Sequence, residues 1–117
     1  MPSDSDTIFG KIIRKEIPAK IVFESERILA FRDINQVAPT HILIVPKTPL
    51  KDLASATVAE QSLLGELLLT AAALAKQEGI GSDGYRVVIN TGAAAGQSVF
   101  HLHLHLLAGR AFTWPPG

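Results

Sequence analysis

His101-Leu102-His103-Leu104-His105-Leu106-Leu107 carries a histidine at every second position. In an extended strand successive side chains point to opposite faces, so this stretch predicts three imidazoles on one face and leucines on the other. The leucine face is apolar enough to hold the strand on a hydrophobic core. We therefore predict a strand from Val99 to Leu107 whose other face presents a row of titratable, nucleophilic ring nitrogens.

The sequence on either side predicts an α+β domain with a mainly antiparallel, five-stranded sheet, one long helix and a short N-terminal helix. Short connections join most of the strand-like segments, which favours antiparallel pairing. The long helix opens at Thr57 with a capping-box pattern and runs to about Glu78. The other predicted elements are a helix from Thr7 to Lys15 with Asp6 as its N-cap, and strands at 21–23, 28–31, 41–45 and 85–90.

The long helix has one apolar stripe, which we expect to pack on the sheet. Leu69 lies off this stripe, where a monomer would expose it. The predicted buried positions are Leu64, Leu67, Leu68, Ala71, Leu74 and Ala75.

Length and composition limit the classes of protein to consider. The 117 residues suffice for one domain, which we place at residues 6–117 behind a flexible tail at residues 1–5. Eleven basic and eleven acidic residues give zero net charge, which argues against a DNA- or RNA-binding protein. No cysteine is available for a disulfide or a thiolate zinc site, and a polar start without a signal pattern favours the cytoplasm over a membrane or export.

A small-residue loop precedes the histidines and indicates an anion site. Glycines flank the loop between Gly92 and Ser98, so main-chain N–H groups can turn towards a bound anion. Asn90, at the end of the preceding strand, offers a further amide donor. Fixed donors next to a nucleophile are what phosphorus chemistry requires.

Two other interpretations of the histidines remain open from the residues alone. The histidines could simply fill the outward positions of an exposed strand. Alternatively, two histidines one residue apart could bind zinc, with His41 or Asp33 as a third ligand. No acid follows the row closely enough to orient a ligating imidazole, which argues against zinc.

The chain resembles the histidine-triad (HIT) family, specifically its Hint branch of nucleotide-binding phosphoramidases. The resemblance extends from about Asp6 to the last residue and implies a HIT-like fold. It rests on His-x-His-x-His followed by two apolar residues, and on the segments 96–107, 6–13, 31–34, 38–41, 109–110 and 114–117.

The resemblance implies a hydrolase of purine nucleoside 5′-phosphoramidates, adenosine or guanosine, that needs no metal or cofactor. His103 falls on the nucleophile, which would carry the nucleotidyl group covalently, and His105 on a phosphate contact. Ser98 falls near the bridging atom, with His101 and His41 as a supporting polar shell. Asn90, Gly96 and Gln97 fall around the phosphate.

The same resemblance implies the nucleoside contacts and the assembly. Asp33 falls on the acid that binds the ribose hydroxyls, and Phe9, Ile12, Phe31 and Ile34 fall on the apolar base pocket. Val99 and Leu104 are further nucleotide-contacting positions. The family is typically a homodimer, in which Trp114 would reach towards the partner's site.

Two other functions remain to be separated from this one. One is a nucleotide-binding scaffold with little turnover, and the other is a zinc-dependent hydrolase that uses the histidine row. The amine leaving group, the choice between adenine and guanine, the pathway and any protein partners are left open by the sequence.

Overall fold

The computed structural model describes residues 7–117. The predicted tail and the predicted N-cap at Asp6 lie outside the described residues, and the first helix is capped by Thr7, whose Oγ1 accepts from the Gly10 N–H at 3.2 Å. The helices are α1 (Ile8–Ile13) and α2 (Gln61–Gln77). The strands are β1 (Ile21–Glu24), β2 (Ile28–Arg32), β3 (Thr40–Pro46), β4 (Arg86–Val88) and β5 (Leu104–Ala108).

The five strands form one sheet in the order β1-β2-β3-β5-β4. Every neighbouring pair is antiparallel. The α+β prediction with five strands, one long helix and a short N-terminal helix is confirmed. The long connection through α2 lets β5 insert between β3 and β4, so β5 is paired on both sides.

The predicted extent of the histidine strand is wrong, because β5 begins only at Leu104. The β3–β5 register pairs Ile44 with Leu104, which would set Pro46 opposite Leu102. Proline has no N–H for the ladder. The Leu102 N–H bonds instead to the Leu50 carbonyl, and residues 101–103 leave the sheet as an extended segment.

The predicted alternation of faces holds across this segment. Leu102, Leu104 and Leu106 join the core between the sheet and α2. The histidines point the other way, towards the smaller core under α1, which contains Phe9, Ile12, Leu29, Phe31, Leu43 and Val45. The two faces of β5 therefore separate a structural core from a polar site.

Helix α2 follows the predicted capping box, in which the Thr57 N–H donates to Glu60 Oε1 at 2.8 Å. Leu68 was predicted to be buried, but it is 51% exposed, and Leu63 takes its place in the core. Thr70 is also buried because its hydroxyl bonds to the Glu66 carbonyl. The stretch Val58–Gln77 is long and apolar enough to cross a membrane by length and composition alone, but its stripe packs on the sheet as a core helix does.

Candidate active site

A main-chain carbonyl fixes which ring nitrogen of His103 carries the proton. Its Nδ1 lies 2.8 Å from the His101 carbonyl oxygen, and a carbonyl can only accept. The ring proton is therefore on Nδ1, and Nε2 keeps a free lone pair. Phe9 packs edge-on against the ring with 4.9 Å between centroids, which fixes its orientation. The segment thus presents an oriented nucleophilic nitrogen.

A second chain of hydrogen bonds sets the proton on His105. The Val37 N–H donates to His41 Nδ1 at 3.2 Å, so the His41 proton must be on Nε2. His41 Nε2 lies 2.9 Å from His105 Nδ1 and donates to it. His105 consequently carries its proton on Nε2. The antiparallel register makes the two histidines diagonal neighbours on one face of the sheet.

The two ring systems meet at this face with complementary chemistry. The ring centroids of His103 and His105 are 5.0 Å apart. His103 offers a lone pair, whereas His105 offers an N–H donor, which is the pairing that attack on an anionic phosphorus requires. His101 stands behind them, fully buried, with its Nε2 2.7 Å from the Pro46 carbonyl. It supports the segment from within the protein interior.

Burial keeps the site histidines uncharged at neutral pH. Desolvation, together with the neighbouring His103 and His41, lowers the pKa of His105 to about 4 against the opposing attraction of Asp33. Desolvation also lowers the pKa values of His103 and His41, against the opposing attraction of Asp33. A neutral imidazole at His103 is the form that can attack.

The depressed pKa values predict how rate and stability depend on pH. A neutral site should keep the rate of hydrolysis constant from about pH 8 down to about pH 6 and lose it only at lower pH. The free energy of unfolding should begin to fall below pH 6.5, because the histidines of the unfolded chain then bind protons that the folded site does not bind, and the part of this loss that comes from His105 should be complete near pH 4. Rate profiles and thermal melts across this range test both. A rate that titrates with the ordinary histidine pKa would contradict a desolvated site.

Asp33 lies between His41 and the adjoining cleft. One carboxylate oxygen accepts from the Asn35 N–H at 2.8 Å, and the other lies 3.4 Å from His41 Nε2. The side chain keeps 19% of its surface exposed at the edge of the adjoining cleft. It is therefore oriented and still accessible to a hydroxyl-bearing ligand.

Asp33, His41 and His105 also form a candidate metal cluster, since one ligand atom from each lies within 4.8 Å of the others. This set differs from the adjacent histidine pair that the sequence suggested. To bind a cation through Nε2, a neutral His41 would have to carry its proton on Nδ1, where the Val37 N–H points at it. Two donors would then face each other. The cluster is accordingly built for a proton on His41 Nε2 and fits a cation poorly.

The glycine-flanked loop bonds most of its own donors: the N–H groups of Gly92, Ala95, Gly96 and Gln97 all donate within the loop, so the prediction that main-chain N–H groups turn towards an anion is wrong for these four. Gly92 and Gly96 both adopt left-handed backbone angles, with φ of 86° and 99°, on either side of a 3₁₀ turn at Ala93–Ala95. A side chain added at Gly96 would lie 4.0 Å from Asn90 Nδ2, so the Asn90 amide borders the loop. Ser98 is exposed immediately after the loop.

Gln97 fixes this loop from beneath. It is 3% exposed, and its Oε1 accepts from the Gly92 N–H at 2.8 Å. Its Nε2 donates to the carbonyls of Lys51 and Val99 at 3.0 and 3.1 Å. Its side-chain atoms are thus bonded within the protein, so it shapes the loop and does not offer its amide to a ligand. Sequence reasoning placed the residue at the phosphate but missed this internal role.

A cleft of about 890 Å³ opens between α1 and the end of β2, large enough for a nucleoside. Phe9, Ile12, Phe31, Asp33 and Ile34 line it, as predicted from the sequence. Ile34 is 92% exposed at the rim. Sequence reasoning missed the other lining residues, since contacts between separate elements have no local signal. These are Ile8, Ile17, Pro18, Ala19, Lys20, Arg32, Gln36 and Leu43.

Three further residues that were proposed for the site have side chains that do not line the cleft. Leu104 packs in the core under α2, so only its main chain remains near the site. Val99 packs at the edge of the core under α1. Trp114 is 84% exposed and does not line the cleft of its own chain.

Comparison with known proteins shows which family the chain belongs to. The sequence profile of the HIT domain matches residues 14–112. A 14 kDa zinc-binding protein of Zea mays is 59% identical, over 97% of this chain and 90% of the relative. Adenylylsulfatase HINT1 of Arabidopsis thaliana is 52% identical, over 99% and 80%. A HIT family hydrolase from Legionella pneumophila superposes with a TM-score of 0.94 at 48% identity, over 96% of this chain and 100% of the other. With its paired histidines and glycine loop, the chain belongs to the HIT family, in its Hint-like branch.

Proposed function

We propose that the protein is a metal-independent hydrolase of purine nucleoside 5′-phosphoramidates. The observation that carries the proposal is the hydrogen bond from His103 Nδ1 to the His101 carbonyl, which leaves Nε2 unprotonated on a ring that packs against Phe9, one of the residues lining the nucleoside-sized cleft. The hydrolase names of related proteins support the reaction class.

The proposed reaction has two displacements at the α-phosphorus. His103 Nε2 forms a bond to phosphorus, the phosphorus–nitrogen bond breaks, and the departing nitrogen takes a proton from water and leaves as the amine. Water then attacks the nucleotidyl group, releasing the nucleoside monophosphate and restoring His103. The His101 carbonyl stabilises the positive charge that the ring acquires on bonding to phosphorus. His105 donates from Nε2 to a phosphate oxygen, while Ser98 lies near the departing nitrogen.

The nucleoside lies in the cleft under the same proposal. The base packs among Phe9, Ile12 and Phe31, and Asp33 accepts from the ribose hydroxyls. A carboxylate accepts from two hydroxyl groups at once, so Asp33 suits the ribose and not the phosphate. A 2′-deoxy substrate, which lacks one donor, should therefore bind more weakly to the wild type, with the difference reduced in Asp33→Asn.

Turnover in the presence of a chelator tests the proposal. We expect a fluorogenic adenosine phosphoramidate to release its amine at the same rate with and without EDTA, because the nucleophile is a ring nitrogen. The rate with a guanosine analogue, measured in parallel, gives the base preference. The rates with lysyl and ammonia adducts show which amine leaves fastest. Loss of activity in EDTA that added zinc restores would establish the metal-dependent alternative.

A zinc-dependent hydrolase is the second candidate, favoured by the Asp33–His41–His105 cluster and by the name of the maize relative. The Val37 N–H at His41 Nδ1 opposes it. A scaffold with little turnover is a third candidate, but nucleotide affinity alone does not require an oriented lone pair. The adenylylsulfatase name of the Arabidopsis relative is compatible with the same nucleophile and sulfate as the leaving group.

We also infer a homodimer in the cytoplasm that binds neither nucleic acid nor membrane. Leu68 and Leu69 are 51% and 73% exposed on one side of α2, and β4 leaves a sheet edge unpaired in the described chain. A two-fold contact would cover both features, and Trp114 would then be free to reach the partner's cleft. Analytical ultracentrifugation should give a dimer for the wild type and a monomer for Leu69→Glu. A wild-type monomer would contradict the inference.

A further inference from the structure

The segment that follows β5 presses on the loop that leads into His41. Gly109 has φ of 94°, and a Cβ at this position would lie 2.7 Å from Pro39 Cβ. Only a glycine fits so close an approach in this backbone conformation. One residue later, Arg110 Nε donates to the Val37 carbonyl at 3.1 Å. Two successive residues therefore hold residues 37–39 from outside.

The loop held in this way controls a proton inside the site. Val37, whose carbonyl accepts from Arg110, donates its own N–H to His41 Nδ1. That N–H is what requires His41 to carry its proton on Nε2, and His41 then donates to His105 Nδ1. The contact at the surface is linked to the His105 donor through three consecutive hydrogen bonds.

We propose that Gly109 and Arg110 form a clamp that positions Val37 and thereby fixes which ring nitrogens of His41 and His105 carry a proton. Arg110 is a positioning residue in this scheme, since it acts through Val37 and touches no reacting atom. Its guanidinium also lies 4.4 Å from the Phe112 ring, which holds the side chain in place. The kinetic consequence rests on the proposed function, whereas the ring protonation does not.

A matched set of variants separates the clamp from general support of the C-terminal segment. Arg110→Gln places an amide nitrogen the same number of bonds from Cα as Arg110 Nε, so it keeps the bond to Val37. Arg110→Met is of similar length but has no donor. Arg86→Met is the control, because the Arg86 guanidinium also lies over the Phe112 ring, at 5.1 Å, and donates to the Thr113 carbonyl and not to Val37.

Long-range ¹H–¹⁵N NMR spectra identify the protonated nitrogen of each histidine ring. In the wild type and in Arg86→Met we expect His41 and His105 protonated on Nε2, and in Arg110→Met a mixture of ring forms at both. Arg110→Gln should restore the wild-type pattern. For adenosine phosphoramidate, kcat should fall about tenfold in Arg110→Met with KM nearly unchanged, since a small misplacement of the donor affects the transition state most.

Wild-type ring protonation in Arg110→Met would overturn the proposal, as would an equal change in Arg86→Met. If the spectra change as expected and none of the proteins turns over a phosphoramidate, the clamp stands and the proposed function fails. If the spectra do not change while the wild type turns over, the reverse holds. Circular dichroism confirms that each variant is folded.

Discussion

His103→Gly should lose turnover of adenosine phosphoramidate by about 10⁴-fold or more while still binding AMP. The substitution removes the only atom that we assign to bond formation with phosphorus. The base and ribose contacts belong to other elements, namely α1 and the end of β2, so they remain. Affinity measured by calorimetry should change little, because the lost ring contacts Phe9 and His105 and is not among the residues that line the cleft.

His105→Gln is the matched comparison for that variant. It keeps His103 Nε2 but removes the imidazole donor at the phosphate and the Nδ1 that accepts from His41, so we expect about a 10²-fold loss in kcat. Two results would contradict the assignment. The first is equal, negligible turnover in the wild type and His103→Gly, which would indicate a binding scaffold. The second is a His105 variant that is more severely impaired than the His103 variant.

Gln97→Glu should destabilise the protein by about 1–3 kcal/mol and lower kcat/KM about 10²-fold. The two side chains have nearly the same shape, but a carboxylate has no donor. Both carbonyls that now accept from Gln97 Nε2 would face an oxygen in a buried site. We expect the carboxylate to turn away or to take up a proton. The Gly92 N–H would then lose its acceptor, and the loop would no longer be held in one position.

Gln61→Glu is the control for the change of charge, because Gln61 is exposed in the first turn of α2, where a carboxylate is tolerated. Thermal melts and steady-state kinetics of both variants provide the comparison. Wild-type activity in a folded Gln97→Glu protein would show that the loop does not depend on this side chain. Crystallography of the variant would locate the displaced loop.

The alternation of histidine and leucine was sufficient to predict both faces of β5 and the side on which the site lies. It could not predict where pairing stops, since that depends on Pro46 in a neighbouring strand, far away in sequence. The predicted capping box at Thr57 is present, but it caps a 3₁₀ turn at Val58–Glu60, and α2 begins only at Gln61. Leu63 rather than Leu68 is buried because packing on the sheet decides which face of the helix turns inward. Local patterns thus determined the elements, and tertiary contacts determined their ends.

The candidate site likewise has features that the sequence predicts and features that depend on tertiary contacts. Residue types and the family resemblance indicated the histidines, Asp33 and the glycine loop. The sequence could not predict which ring nitrogen of each histidine carries the proton. That choice depends on the Val37 N–H and the His101 carbonyl, and main-chain groups of these kinds occur in every sequence. Leu43 and the 17–19 segment were missed in the cleft for a similar reason, since their contribution comes from how β3 and the segment after α1 are placed.

The nucleophile can be identified directly by acid-quenching the reaction with adenosine phosphoramidate in EDTA and mapping the modified peptide by mass spectrometry. The account predicts one adenylyl group per chain, bonded to the His103 ring, that forms before amine release reaches steady state and disappears as AMP accumulates. An adduct on His105 or elsewhere would contradict it, as would continued turnover with no adduct detected at any quench time.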